Sequence, residues 1–199
     1  IATSSVPDKR ADAVMALGRL LKERHDYKEA ALLLGKARDL YRPASLNGLE
    51  GAVSYMLCGI VLAQTLEELD RFPEAEQLYD EAGSMLEPMF KQMPDLVRPM
   101  WSGFNSVVSY HYRKRRQWAK AESFAREALD QAGKSFDREN LAYANKECDL
   151  GEIFWASGDL SKSLQPIEHC FDVREKNIAR VRASGSEEQK RAYVGSFVL

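Results

Sequence analysis

The feature that most constrains the fold is a pattern of apolar and small residues that recurs four times along the chain. In each copy, five mostly polar residues lie between two large apolar ones, over 21–27, 66–72, 112–118 and 154–160. Two small residues follow, seven positions apart: Ala30 and Ala37, Ala75 and Ala82, Ala121 and Ala128, Ser163 and Cys170. A leucine-like residue and a small one precede each copy: Leu17-Gly18, Leu62-Ala63, Val108-Ser109 and Leu150-Gly151.

This pattern predicts stacked helical hairpins. Apolar residues recur at three- and four-residue intervals, which is the helical period, and alternating strand patterns are almost absent. Small residues allow two helices to approach closely, and one hairpin cannot bury its apolar face alone, so hairpins stack. We expect helices near 7–25, 28–42, 46–69, 72–90, 98–115, 118–134, 139–157, 160–183 and 186–197. Pro88, Pro94 and Pro99 predict an irregular or kinked link between the second and third hairpins.

These residues resemble the tetratricopeptide (TPR) repeat. The spacing of Ala30, Ala75, Ala121 and Ser163 is 45, 46 and 42 residues, which is similar to the long repeats of kinesin light chains. The resemblance implies an all-α, right-handed α-solenoid with repeats near 8–43, 46–90, 98–135 and 139–183. It assigns 1–184 to the repeat domain and 185–199 to a C-terminal helix or linker.

Composition narrows the function classes. The 28 Lys and Arg residues are balanced by 30 Asp and Glu residues, which argues against a nucleic-acid binder. Three cysteines without a CxxC pair predict neither a disulfide framework nor a zinc site, and favour the reducing cytoplasm. With no run of about 18 apolar residues, we expect no membrane span. The first residue is not Met and the last seven are mostly apolar, so we expect a fragment of a longer protein.

The basic stretch HYRKRRQW, 111–118, is the most conspicuous motif. Tyr112 and Trp118 fall on the apolar bracketing positions and should be core, which leaves 113–116 at the end of a helix and in its turn. Cations there complement the helix dipole. A solvated helix end is the favoured interpretation, with contact to an acidic protein or to nucleic acid as alternatives.

No residue pattern predicts catalysis, a cofactor or a metal. Cys148, Cys170 and Cys58 are expected to be buried structural thiols, and His169 and Cys170 are neighbours on a helix and should not face each other. His25 and His111 belong to different repeats and should not share a metal. Paired carboxylates lie in turns and at helix starts, where acids cap helices or stay solvated.

The TPR resemblance implies that first helices line a binding face. Residues one and four positions after the small residue of each first helix would point there: Arg19, Lys22, Gln64, Glu67, Tyr110, Arg113, Glu152 and Trp155. Tyr, Trp and Arg are frequent hot-spot residues, although Tyr110 and Trp155 could equally pack against added helical turns. We expect a protein or peptide partner there, as an extended or helical segment rather than a C-terminal carboxylate.

The tail 174–194 resembles the segment that joins long TPR repeats to CHAT domains, which are caspase-like peptidase domains of bacterial proteins. Within it, Gly185 could end one helix, and Ser186 with Gln189 could form a capping box for the next. The resemblance implies a regulatory arm with an intramolecular partner domain. A free-standing adaptor or transcriptional-regulator domain, and an all-α ligand binder or enzyme, remain as alternatives.

Overall fold

A computed structural model describes residues 9–46, 48–184 and 186, and in that part the chain forms eight helices and no strands. They are α1 (Lys9–Glu23), α2 (Tyr27–Ser45), α3 (Leu49–Glu67), α4 (Phe72–Gln92), α5 (Pro94–Lys114), α6 (Trp118–Gly133), α7 (Leu141–Ser157) and α8 (Leu160–Ser184). The prediction of an all-α helical repeat is therefore confirmed. The predicted helix 186–197 and its capping box lie outside the described residues, apart from Ser186.

The helices form two compact units, one within 1–94 and the other within 95–199. In the first unit, α1 packs on α2, α2 on α3 and α3 on α4; in the second, α6 packs on α7 and α7 on α8. Helix α5 is joined to α6 by hydrogen bonds from Ser102 and Ser109 to the carbonyl oxygens of Ala128 and Ala121, at 2.7 and 2.8 Å. Each unit thus contains two hairpins, with α1, α3, α5 and α7 as first helices.

The small residues of the repeat lie where the helices of a hairpin meet. All twelve are buried, from Gly18 in α1 to Cys170 in α8. A Cβ atom added to Gly18 would lie 2.8 Å from Leu34 Cγ, and one added to Gly151 would lie 2.6 Å from Ile167 Cγ1. A larger side chain would therefore force the helices apart, which explains the small residues.

The leucine-like positions are less uniform. Val108 and Leu150 are buried and Leu62 packs at the edge of the first unit's core, but Leu17 is 49% exposed. Leu17 lies on α1, and no helix precedes α1 in the described part of the chain to cover it. The repeat positions are equivalent, but their burial depends on the neighbouring helix.

All four hairpins use the same turn. In each copy, the residue four positions after the first bracketing apolar residue has a left-handed backbone. These residues are His25 (φ 62°), Asp70 (58°), Arg116 (55°) and Gly158 (91°). The next residue's amide donates to the carbonyl of the bracketing residue at 2.9 Å in every copy, as Gln117 does to Tyr112. This is the hydrogen bonding of a Schellman helix end, and only one of the four positions has the glycine that favours it.

The predicted irregular, proline-rich link between the second and third hairpins is much shorter than expected. Only Met93 separates α4 from α5, because α5 begins at Pro94, four residues earlier than expected. Proline suits the first position of a helix, where the missing N–H has no helical partner. Pro88 and Pro99 lie inside α4 and α5 on their exposed sides, where the carbonyl each leaves unpaired can be solvated.

Helix α3 is the only helix in the described residues that is long and apolar enough, by length and composition, to cross a membrane. It carries Glu50 and Glu67, and it packs against both α2 and α4. Those contacts are typical of a core helix.

Candidate protein-interaction site

The predicted face residues are brought together in pairs, once in each unit. Lys22 Nζ of α1 donates to Gln64 Oε1 of α3 at 3.0 Å. At the equivalent positions of the second unit, Arg113 of α5 forms an ion pair with Glu152 of α7. In both units a cation four positions after the small residue contacts an acceptor one position after the small residue of the next first helix. The structure thus joins neighbouring repeats through residues predicted to bind a partner.

The second unit adds exposed aromatic side chains to its pair. The Arg113 guanidinium lies 4.9 Å from the ring centroid of Tyr110, which is 43% exposed. Trp155 follows Glu152 by three residues on α7, so it lies on the same side of that helix, and it is 65% exposed. We call Tyr110, Arg113, Glu152 and Trp155 the α5/α7 surface. This surface contains Tyr, Trp and Arg, the residue types that dominate protein interfaces. The Arg113–Glu152 ion pair already holds two of its side chains in place.

The first unit offers less of a surface. Arg19 is exposed, but Glu67 is only 3% exposed and accepts a hydrogen bond from Tyr79 Oη at 3.0 Å. Burial lowers the pKa of Lys22 from its ordinary value, with Glu68 and Glu67 partly opposing this effect. Glu67 therefore stabilises the inside of the unit and is not displayed to a partner.

The basic stretch is a helix end, but it is more engaged than a solvated end would be. Arg113 pairs with Glu152, Lys114 lies 5.4 Å from the Tyr110 ring, and Arg115 contacts Nε2 of the fully buried His111 at 3.4 Å. Only Arg116, the left-handed turn residue, is exposed among the four cations. The bracketing residue Tyr112 is buried as predicted, whereas Trp118 is only half-buried.

The prediction that the cysteines form no disulfide is wrong. Cys148 of α7 and Cys170 of α8 are bonded, with their Cα atoms 5.6 Å apart. Beside them, His169 Nδ1 contacts Glu147, a buried carboxylate that also accepts from Arg138 at 2.9 Å. His169 and Cys170 thus face different partners, as predicted. Because disulfides persist under oxidising conditions, the argument for a reducing compartment loses its basis.

Cys58 is a buried structural thiol, as predicted. Its Sγ donates to the carbonyl oxygen of Leu34 at 3.4 Å, and burial raises its pKa to about 11. A thiol with so high a pKa stays protonated at neutral pH and is a poor nucleophile.

The sequence did not predict an open groove in the first unit. This open groove of about 660 Å³ lies between α2 and α4, and residues of α3 form its floor. Ala31 and Gly35 of α2 leave room there, and a Cβ added to Gly35 would meet no atom within 4 Å. The sequence does contain a signal for this groove. Ala31 and Gly35 are both small and lie four residues apart, so they form a recess on one side of α2.

Comparison with known proteins supports the fold. A scan of the sequence against protein-family models finds no match, and a search of curated proteins by sequence finds none either. Among solved structures, BtubC (BKLC) from P. vanneervenii is similar with a TM-score of 0.69 and 18% identity over 87% of this chain. This chain spans 66% of the length of that protein.

A second similar structure is a putative kinesin light chain from Podosopora anserina with nearly identical TPR-like repeats. It has a TM-score of 0.61 and 15% identity, and the match covers 96% of this chain and 84% of that one. A second crystal structure of the same protein, carrying one substitution, gives a TM-score of 0.60 at 15% identity over 92% of this chain and 81% of that one. The chain therefore has the fold of a TPR-like helical repeat protein of the kinesin light chain-like type, as the repeat spacing implied.

Proposed function

We propose that this chain is a non-catalytic protein-interaction scaffold, and that the α5/α7 surface binds an extended or helical segment of a partner protein. The observation that carries the proposal is the exposed Trp155 beside an Arg113–Glu152 pair that links two repeats. An aromatic anchor next to a preorganised ion pair loses little side-chain entropy on binding. Nucleic acid is not the proposed partner, because three of the four cations in 113–116 are already engaged within the protein.

The test is an affinity capture with the whole chain and two double variants. In Arg113→Glu/Trp155→Ala, the ion pair becomes a repulsion and the aromatic anchor is lost. The matched control is Arg180→Glu/Phe171→Ala on α8, which makes the same charge change and removes a 58%-exposed aromatic from the same unit. We expect partners to be retained by the control and lost by the first variant, by at least about 30-fold in affinity if Trp155 is a hot spot. Identical partner lists for the wild type and the Arg113→Glu/Trp155→Ala variant would reject the surface.

We further propose that the repeats act as the regulatory arm of a longer chain with a CHAT-type peptidase domain. This rests on the resemblance of 174–194 alone, of which 185 and 187–194 lie outside the described residues. Reading the gene downstream of the Leu199 codon tests it. A strand-rich region with a separated His and Cys is expected there, and the absence of such a region would contradict the proposal.

A further inference from the structure

The groove between α2 and α4 has an apolar interior. Leu62 and Leu66 of α3 lie at its floor, Leu78 of α4 contributes to one wall, and Leu32 of α2 stands 58% exposed in the other. From Lys28 to Asp39 the α2 wall covers eleven residue steps, which is about 17 Å or three helical turns. A groove between two helices with a third beneath it matches the shape in which an amphipathic helix lays its apolar face.

The charges along the groove are unevenly neutralised. Arg38 pairs with Glu81 across it, and Arg71 pairs with Glu74 at 2.6 Å at one end. Asp39 pairs with Arg42 at 3.3 Å. These three ion pairs neutralise every charged side chain that lines the groove except two lysines, both of which are on α2.

Lys28 and Lys36 are the two lysines, and they lie four residues before and after Leu32, so the three share one side of α2. Neither forms an ion pair with any residue within 9–46 or 48–184. The groove wall therefore presents a cation, an apolar residue and a cation at successive turns. A partner that fills the groove gains from carrying carboxylates at the matching turns.

We propose that this groove is a second docking site, separate from the α5/α7 surface, and that its occupant is an acidic amphipathic helix of a partner protein. The apolar stripe of that helix contacts Leu32, Leu62 and Leu78, and its flanking carboxylates meet Lys28 and Lys36. The open form of the groove suits a polypeptide better than an enclosed small molecule.

The experiment is a display selection of helical peptides on the full chain. Apolar positions at three- and four-residue spacing vary among Leu, Ile, Met and Phe, and flanking positions vary among Glu, Asp, Lys and Arg. The counter-target is Gly35→Leu, whose side chain fills the groove and causes no backbone strain, since Gly35 has helical geometry and open space above it. Circular dichroism confirms that this variant folds.

We expect peptides with acidic flanks to be enriched on the wild type and not on Gly35→Leu. In a fluorescence anisotropy titration, the most enriched peptide should bind Lys28→Glu/Lys36→Glu at least about tenfold more weakly. It should bind the control Lys9→Glu/Arg24→Glu, which makes the same charge change outside the groove, as well as the wild type. Enrichment of basic flanks, no enrichment over Gly35→Leu, or equal affinity for Lys28→Glu/Lys36→Glu would each overturn the proposal.

Discussion

The disulfide between α7 and α8 should be a large contributor to the stability of the second unit. The perturbation is its removal, either by a phosphine reductant or by the double variant Cys148→Ala/Cys170→Ala. Alanine is the natural replacement at 170, because the three equivalent positions in the other hairpins are alanines. Both treatments remove the same covalent link between the helices of the fourth hairpin.

The magnitude follows from the length of chain that the bond closes. Cys148 and Cys170 are 22 residues apart in sequence. In the chain-entropy model, a loop of that length restricts the unfolded state by about 3.4 kcal/mol at 25 °C. With a urea m value of about 2 kcal/mol/M for a unit of this size, the unfolding midpoint should fall by about 1.7 M.

The assay can observe the second unit separately. All three tryptophans, at 101, 118 and 155, lie in that unit, so tryptophan fluorescence in urea follows its unfolding. The oxidised wild type is compared with the reduced wild type, and the alanine variant is measured with and without reductant. Cys58→Ala, in the first unit, is the control and should leave the redox dependence unchanged.

Equal midpoints for the oxidised and reduced wild type would refute the reasoning. They would mean that the sulfur atoms are not joined in solution, or that unfolding of the unit does not free the two cysteines from one another. A redox-dependent shift that persists in Cys148→Ala/Cys170→Ala would also contradict it, since no cross-link remains in that variant.

Three further outcomes follow from the geometry. Arg116→Gly should raise the free energy of unfolding by about 1 kcal/mol, because glycine adopts a left-handed backbone without steric cost, and Gly158→Ala should lower it similarly; a destabilised Arg116→Gly in urea would contradict this. Gly151→Val should destabilise by about 1–3 kcal/mol, because its Cβ would meet Ile167; an unchanged urea midpoint would show that α8 can move away. Because the pKa of Lys22 is lowered on folding, the unfolded state holds more protons between that pKa and 10.5, so stability should rise with pH across this window. Lys22→Met should reduce this rise, measured as melting temperature against pH by circular dichroism. An equal dependence of melting temperature on pH in both proteins would show that Lys22 is not its source.

The sequence predicts the hairpins well because the small residues act locally. A small residue such as Gly18 or Ala63 is required where the two helices of a hairpin touch. Because every hairpin has this requirement, the spacing of the small residues gives the length of the repeat without knowledge of any contact. Helix boundaries follow from the same turn in each copy. The start of α5 was missed because Pro94 is compatible with a helix only at its first residues, a position that the sequence alone does not fix.

The disulfide was missed because it depends on register between two helices. The repeat does contain the signal: Met15, three residues before Gly18, packs on the core cluster that includes Ala37, and Cys148 and Cys170 are the equivalent positions in the fourth hairpin. Glu67 was misplaced for a related reason. Its position in the repeat points toward the face, but a hydrogen bond from Tyr79 of α4 turns its carboxylate inward.

The equivalent contacts Lys22–Gln64 and Arg113–Glu152 have a consequence for how such a chain can change in length over evolution. Each contact joins the two hairpins of one unit, and the residues that make it differ between the odd and the even hairpins. Gain or loss of a whole pair of hairpins would carry complete contacts with it. Duplication of the first hairpin alone would place Lys22 opposite a second Arg19, which are two cations, and duplication of the second alone would place Glu67 opposite a second Gln64, which are two acceptors. Duplication of the whole pair creates neither mismatch.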